Sequence, residues 1–443
     1  MKSEDRPEFV MNKPYVFLVL LFFCPSIYGF QGSTQPDNTV SAGEYTTIQN
    51  AVDALPEEGG TVYIPAGVYE ISGPIIVQKS DVSLIGAGTG TILINTSEDG
   101  KNTIELIGTE EDPIWRAKVS DMHLKGNEKC GNAIYAKRVN EISLSDMWID
   151  YHGKSGVYLD YCYENPRVYD NNIAYNKEMG VLLDGCHDIV VSANQMEENG
   201  IGIYGKGLYN ATVTGNNIDD HIKNCIYFIN TLGSIITANM LENCLGKSVI
   251  LDEKCNGIVV TGNTFRMPGV LSVFKTKGVV ITGNAFDASE STALEVEKSE
   301  LITVSGNIFS GSGEGVNRIY GMVMDNVNDV SISGNTIVKP LEGGIYILGN
   351  NNRYINITGN TIKNPSYENP GMYSGILIQN TSHSIISNNI VIDDGEAKSM
   401  KSAIEETGDS DYNIISNNRL NKGMTGGIDS KGMNTRKESN LIH

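Results

Sequence analysis

The sequence predicts an all-β solenoid whose short parallel strands wind through about 12–14 coils. Three observations predict it: a hexad that recurs about every 25 residues, a glycine-led strand pattern between the hexads, and 48 Gly in 443 residues. That glycine content is about 11% against a usual ~7%, too high for a mainly helical chain.

The hexad reads aliphatic, two small or polar residues, Asn, any residue, apolar. Val260-Thr-Gly-Asn263-Thr-Phe265, Ile281-Thr-Gly-Asn284-Ala-Phe286 and Ile332-Ser-Gly-Asn335-Thr-Ile337 are clear copies. Its Asn falls at 171, 194, 216, 239, 263, 284, 307, 335, 360, 389 and 418, with Met122 and Met147 in the same place upstream. Such an Asn stacked on every coil forms a ladder inside a turn, its amide satisfying backbone groups and the Asn above and below. Between hexads, Gly156-Val-Tyr-Leu-Asp160, Gly180-Val-Leu-Leu-Asp184 and Gly321-Met-Val-Met-Asp325 alternate with period two and read as strands. A solenoid must cover its open ends. Ile48, Ala51, Val52 and Leu55 share one face of a short amphipathic helix over about 47–55, a suitable N-terminal cap. The single solenoid domain is expected over 40–422, and the polar stretch 423–443 as a flexible tail.

Lys13, the apolar run Tyr15 to Cys24 and the small or polar residues after Pro25 have the layout of a secretory signal, cleaved near Gly29, with Met11 as an alternative start. Ten apolar residues are too few to span a bilayer, and no later segment is long and apolar enough. The mature chain is expected to be secreted or at the cell surface. Its net charge of −20 argues against nucleic acid as a partner. Six of the seven Cys lie beyond the signal, an even number that permits disulfides in an exported protein. Cys162 and Cys186 each lie six residues after a strand Gly and are expected to stack as a pair, with Cys225 and Cys244 as a second candidate. Asn-x-Ser/Thr sequons begin at Asn95, Asn210, Asn356 and Asn380.

Tyr45-Thr-Thr-Ile-Gln-Asn-Ala-Val-Asp-Ala-Leu55, Gly59-Gly-Thr-Val-Tyr-Ile-Pro-Ala-Gly-Val-Tyr69 and Val82-Ser-Leu-Ile-Gly-Ala-Gly88 resemble the opening of right-handed β-helices of the pectate-lyase superfamily. The later coils resemble the parallel β-helix repeats of that group and of NosD-like proteins. The resemblance covers nearly all of the mature chain and implies a right-handed parallel β-helix. It does not fix a chemistry, because the superfamily holds lyases, hydrolases, epimerases and esterases. The polygalacturonase motifs Asn-Thr-Asp, Gly-His-Gly and Arg-Ile-Lys are missing, as is the pectin methylesterase Asp-Phe-Ile-Phe-Gly. Trp148-Ile-Asp-Tyr-His152 comes near the Trp-Ile-Asp-His of pectate lyases but carries one inserted residue and lacks the Arg-x-Pro-x-x-Arg partner. Val157-Tyr-Leu-Asp160-Tyr-Cys162 resembles the Tyr-Gly-Phe-Asp-Pro-His of mannuronan epimerase modules and related lyases. Asp160 matches the motif aspartate, while Val157 and Cys162 replace its Tyr and His.

Strand parity turns Tyr158 and Asp160 outward if Val157 and Leu159 point in. The same parity predicts two exposed rows, Tyr158, Leu182, Gly202, Tyr227, Ile250 and Asp160, Asp184, Tyr204, Ile229, Asp252, with Gly202 leaving a hollow for a sugar ring. Residues 151–227 hold nine of the 21 Tyr and three of the six His, a composition that suits carbohydrate, which offers C–H faces and hydroxyls. Asp160, His152, Lys154 and Tyr158 are therefore the candidate catalytic residues, and Asp184, Tyr204, Tyr227 and Gly202 the candidate substrate contacts. Asp160 and Asp184, one coil apart, are also a candidate calcium pair. Asp219-Asp220 and Asp393-Asp394 could bind Ca²⁺ too, although paired Asp is common in turns and no EF-hand spacing accompanies them. The leading functional expectation is a polysaccharide lyase or epimerase acting on an acidic or acetylated polysaccharide. The alternatives are a non-catalytic glycan-binding rod and a glycoside hydrolase using Asp160 and Asp184 as its carboxylate pair.

Overall fold

The computed structural model describes residues 38–287, 291–310, 319–395 and 398–443. The signal-like segment and its cleavage point lie outside the described residues. Each coil contributes one short strand to each of three faces, as in Val190–Ser192, Gln195–Glu197 and Ile201–Lys206. Like strands stack along the axis into sheets of 18, 16 and 15 strands, which we call the first, second and third faces. Neighbouring strands pair in parallel, for example Val190 with Thr212, Gln195 with Asn217 and Tyr204 with Tyr227. Strands that alternate buried and half-exposed residues send every second side chain into the core.

The Asn of the hexad sits at the corner between the first and second faces. From Asn171 to Asn418, and on to Asn440, each side-chain amide donates to the Asn oxygen of the next coil at 2.9–3.1 Å. Asn263 shows the complete pattern: its Nδ2 also donates to Ile236 O and Thr261 O, and its Oδ1 accepts from the Asn239 amide and backbone N–H. The residue before the Asn has a left-handed φ, 64° at Gly262 and 62° at Gly283, which is why glycine recurs there. Inside this corner the rings of Phe265, Phe286 and Phe309 stack at 4.4 and 4.7 Å.

The solenoid makes about 16 turns, more than the hexads alone indicate. The additional turns lie at the ends. Near the N-terminus, Gly60–Ile64 and Val82–Gly86 lead into corners without the Asn, and at the second of these Thr91 Oγ1 bonds the Ile64 carbonyl instead. At the other end, the stretch expected as a flexible tail forms strands at Gly426–Ser430, Arg436–Glu438 and Leu441–Ile442 that pair with the preceding coil. Asn440 continues the ladder there although its hexad is degenerate. The N-terminal helix spans Ile48–Asp53, capped by Thr47 Oγ1, which accepts from the Asn50 N–H, and it buries Ile48, Ala51 and Val52. Among the described residues no helix is long and apolar enough to cross a membrane.

Candidate functional site

The third face carries the outward rows expected from parity, with one shift of register. Tyr135, Tyr158, Leu182, Tyr204 and Tyr227 are paired in that order on successive strands. Beside them run Lys137, Asp160, Asp184 and Lys206. Tyr204 thus belongs to the Tyr158 row and Lys206 follows Asp184, two residues on from the expected placement. Gly202 is a buried inward position and leaves no surface hollow. A Cβ on it would meet His221 Nε2 at 2.7 Å and Cys225 O at 2.6 Å. Gly205, in the same strand, faces the core and makes room for the Phe228 ring.

The four-residue row therefore places two carboxylates side by side, with an ammonium group one coil before and one coil after. Coils lie ~4.8 Å apart between backbones, with Lys137 the strand partner of Asp160 and Lys206 that of Asp184. Tyr135 Oη donates to Asp160 Oδ2 at 2.8 Å, and Tyr227 Oη donates to Asp252 Oδ2 at 2.8 Å. The Tyr135 and Tyr158 rings lie 5.1 Å apart, and those of Tyr204 and Tyr227 meet edge to face at 5.4 Å. Burial, then the charges of Asp160 and Asp184, push the Tyr158 hydroxyl up to about 12. Burial and the bond to Asp252 do the same for Tyr227. These hydroxyls therefore stay protonated at neutral pH and act as donors.

At the edge of the same face, the Arg138 guanidinium lies 4.6 Å from the centre of the Tyr161 ring. Tyr163, His187 and Tyr209 form a continuous run of tilted ring contacts with centres 4.4 and 5.0 Å apart. Sequence reasoning did not single out Tyr135, Lys137 or Lys206. Their signal lay in the register, since each occupies the position of Tyr158 or Asp160 one or two coils away.

His152 does not belong to this surface. It is fully buried at the corner between the second and third faces, with its backbone N–H on Asn176 Oδ1 and its Nε2 3.1 Å from Thr103 Oγ1. Asn176, Asn199 and His221 continue this second inward ladder. Burial holds His152 and His221 down to about 4, so both are neutral structural groups. Lys154 is exposed in the turn that leads into the Tyr158 strand.

Cys162 and Cys186 are buried free thiols. Parallel, in-register strands aim both side chains inward along the same direction. Each thiol donates to a carbonyl of the preceding coil, Ala136 O and Leu159 O, at 3.4 Å. Cys225 and Cys244 occupy non-equivalent turn positions, so their side chains converge, and they form a disulfide with Cα atoms 6.0 Å apart.

A family model described as periplasmic copper-binding protein (NosD) matches residues 71–267 and 222–373. Copper sites draw on convergent His, Cys or Met donors. Among the described residues no group of three or more His, Cys, Asp or Glu is placed to hold a metal ion. The buried pair Cys162 and Cys186 supplies only two sulfurs, and burial pushes the Cys186 thiol up, away from the thiolate a metal needs. Among the described residues, His, Cys, Asp and Glu side chains alone therefore do not assemble a copper site.

Among curated proteins, the chain is 26% identical over 221 residues to mannuronan C5-epimerase AlgE3 of Azotobacter vinelandii, covering 39% of this chain and 12% of that protein. It is 31% identical over 110 residues to alginate lyase 7 of the same organism, covering 23% and 12%. The chain thus spans about an eighth of the length of these relatives. Similar solved structures include the A-module of the A. vinelandii epimerase AlgE6, with a TM-score of 0.32, 15% identity, and 89% and 94% of the two chains covered. Another is DFA-IIIase from Arthrobacter chlorophenolicus, with a TM-score of 0.44, 12% identity, and 91% and 99% covered. The family match takes in most of the coils, including the Tyr135–Asp160 pair and the face around it, and on that ground the chain belongs to the family described as periplasmic copper-binding protein (NosD).

Proposed function

We propose that the chain is an exported carbohydrate-active enzyme that acts on an acidic or acetylated polysaccharide by β-elimination or C5 epimerisation. The observation that carries this reading is the row Lys137, Asp160, Asp184, Lys206 set beside Tyr135, Tyr158 and Tyr204 on the third face. The C5 proton of a uronate is weakly acidic because the carboxylate beside it can take up the charge. Its removal needs that carboxylate neutralised, a base, and an acid for the product. Lys137 and Lys206 neutralise the sugar carboxylate. Asp184 has no side-chain hydrogen bond among the described residues and accepts the proton, while Tyr135 holds Asp160 in position. Tyr158, protonated at neutral pH, returns a proton to the leaving oxygen in elimination or to the opposite face of C5 in epimerisation. A Ca²⁺ shared by Asp160 and Asp184 would provide the same neutralisation. The sequence likeness to a mannuronan epimerase and an alginate lyase supports the substrate class, and the signal-like N-terminus supports export.

One observation favours a second reading. Asp160 and Asp184 are direct partners on adjacent strands, which suits the ~5–5.5 Å carboxyl separation of a retaining glycoside hydrolase. The mature protein should be incubated with polymannuronate, pectate and acetylated polysaccharides, with and without chelator. Unsaturated uronates detected by ultraviolet absorbance indicate elimination, inverted C5 centres by NMR indicate epimerisation, and reducing ends alone indicate hydrolysis. Loss of turnover on chelation assigns the neutralising role to Ca²⁺. Absence of all three products overturns the enzyme reading in favour of the glycan-binding rod.

A further inference from the structure

The second face carries an outward row of different chemistry. His123, Trp148, Asn172, Gln195 and Asn217 pair in that order on five successive strands. They span four coil steps, roughly 19 Å. Trp148 is one of only two Trp in the chain, and 44% of it is exposed. Nothing in the packing requires an indole there, since the side chains that fill this part of the core come from Leu124, Ile149 and Ile173 of the same strands. His123 lies beside it, with ring centres 6.2 Å apart, and its Nε2 is 3.0 Å from Oδ1 of the buried Asp150. A carboxylate can only accept, so Nε2 carries the proton. In the neutral ring this leaves Nδ1 as an acceptor. Beyond Trp148 the row continues with three side-chain amides, and Asn217 Nδ2 donates to Gln195 Oε1 at 2.9 Å. At the end of the Trp148 strand, the rings of Tyr151 and Tyr175 stack at 4.9 Å, nearly parallel, with each more than a third exposed.

We propose that this row is a binding track for a neutral polysaccharide, separate from the third-face site. An exposed indole offers a flat apolar surface for the C–H face of a pyranose. The oriented imidazole and the amides both donate and accept along the track, as sugar hydroxyls require. The parallel row on the same strands selects against a polyanion: Asp150 is followed, after Ala174, by Glu197, Asp219 and Glu242. Cations stand only toward its two ends among the described strand partners: Lys125, in register with Asp150, and Arg266, whose Nη1 lies 3.0 Å from Glu242 Oε1. A polyuronate laid over Trp148 would meet that acidic flank, whereas a neutral glycan carries no charge to be repelled.

The test is intrinsic tryptophan fluorescence and calorimetry of the full mature protein titrated with cello-, laminari- and manno-hexaose and with oligomannuronate. Titrations extend to about 10 mM, enough to saturate a millimolar site. Expected is a saturable change with at least one neutral hexaose and a weaker or absent change with oligomannuronate. Trp148→Ala should weaken binding at least tenfold with a melting temperature close to wild type, and His123→Ala should weaken it as much while lowering the melting temperature, because the buried Asp150 carboxylate loses its partner. Trp148→Phe should restore most of the affinity read by calorimetry. Asp160→Asn should leave neutral-glycan binding intact, so the track and the third-face reading fail independently. No binding of any neutral hexaose by wild type, binding that survives Trp148→Ala, or tighter binding of oligomannuronate would each overturn the proposal.

Discussion

Tyr135 donates a 2.8 Å hydrogen bond to Asp160 on the following coil, and four coils further along Tyr227 does the same to Asp252. In both pairs the donor lies in the inner outward row and the acceptor two positions on in the next strand. The parallel register brings donor and acceptor within reach in both pairs. The first pair differs in its surroundings, because Asp160 also has Asp184 and Lys137 as strand partners.

Asp160→Asn should lower turnover on the true substrate by at least ~10²-fold, the lower range for removing a positioned electrostatic or acid–base group. Its unfolding free energy should stay within ~0.5 kcal/mol of wild type, as for an ordinary surface substitution. Steady-state kinetics and denaturant unfolding of the same preparation separate the two effects.

Asn263→Ala should do the reverse. Removing an amide with three donor contacts leaves the Ile236 and Thr261 carbonyls short of a partner. The expected loss is roughly 1–3 kcal/mol of stability, with activity per folded molecule unchanged.

Gly202→Ala and Tyr204→Ala distinguish the observed register from the one expected from parity. A methyl at 202 presses on the His221 ring and the Cys225 carbonyl and should destabilise by about 1–3 kcal/mol. Tyr204→Ala should instead weaken substrate binding, read as a raised KM at near-constant melting temperature.

Stability should fall on mild acidification. Burial lowers His152 and His221 to about 4, whereas the unfolded chain takes up these protons near 6.5. Between those limits the unfolded state binds more protons. Their contribution is therefore full above pH 6.5 and is lost as pH drops toward 4, by up to ~1.4 kcal/mol per pH unit for each ring. Unfolding curves across that range should flatten in His221→Asn, which puts the usual ladder residue in its place.

Of the six Cys from Cys130 to Cys255, four should titrate as free thiols under denaturing, non-reducing conditions, with Cys225 and Cys244 bonded. Reduction of this 19-residue link should cost about 3 kcal/mol by the loop-entropy relation. Six free thiols by intact mass after alkylation would contradict the pairing.

The Asn ladder could be read from the sequence because its requirement is local and repeats on every coil. A turn with orphaned backbone groups accepts few other side chains, so the position of Asn263 or Asn335 marks the coil without reference to anything distant. The row order on the third face was harder to read. Ile201-Gly-Ile-Tyr-Gly-Lys206 offers two glycines, and only packing against His221 and Phe228 decides that Gly202 aligns with Gly180 and that Gly205 faces the core. The same holds for His152. Near Lys154 in sequence it looks like a turn residue at the surface, but it fills a ladder position bonded to Asn176 one coil on and to Thr103 two coils back. The fate of the cysteines also depended on direction: equivalent positions placed Cys162 and Cys186 side by side, whereas bonding required the converging vectors of Cys225 and Cys244.

The Cys225–Cys244 bond joins two successive turns just beyond Lys206, on the C-terminal side of the third-face row. Backbone strand pairing joins each coil to its immediate neighbours, so loosening travels along the axis one turn at a time from the free ends. A front advancing from the C-terminal end meets this covalent latch before it reaches Lys206, while one from the N-terminal end must first undock the helix Ile48–Asp53. The carboxylate pair therefore sits in a stretch protected on both sides, where amide exchange should be slowest and the spacing of Asp160 and Asp184 least subject to breathing.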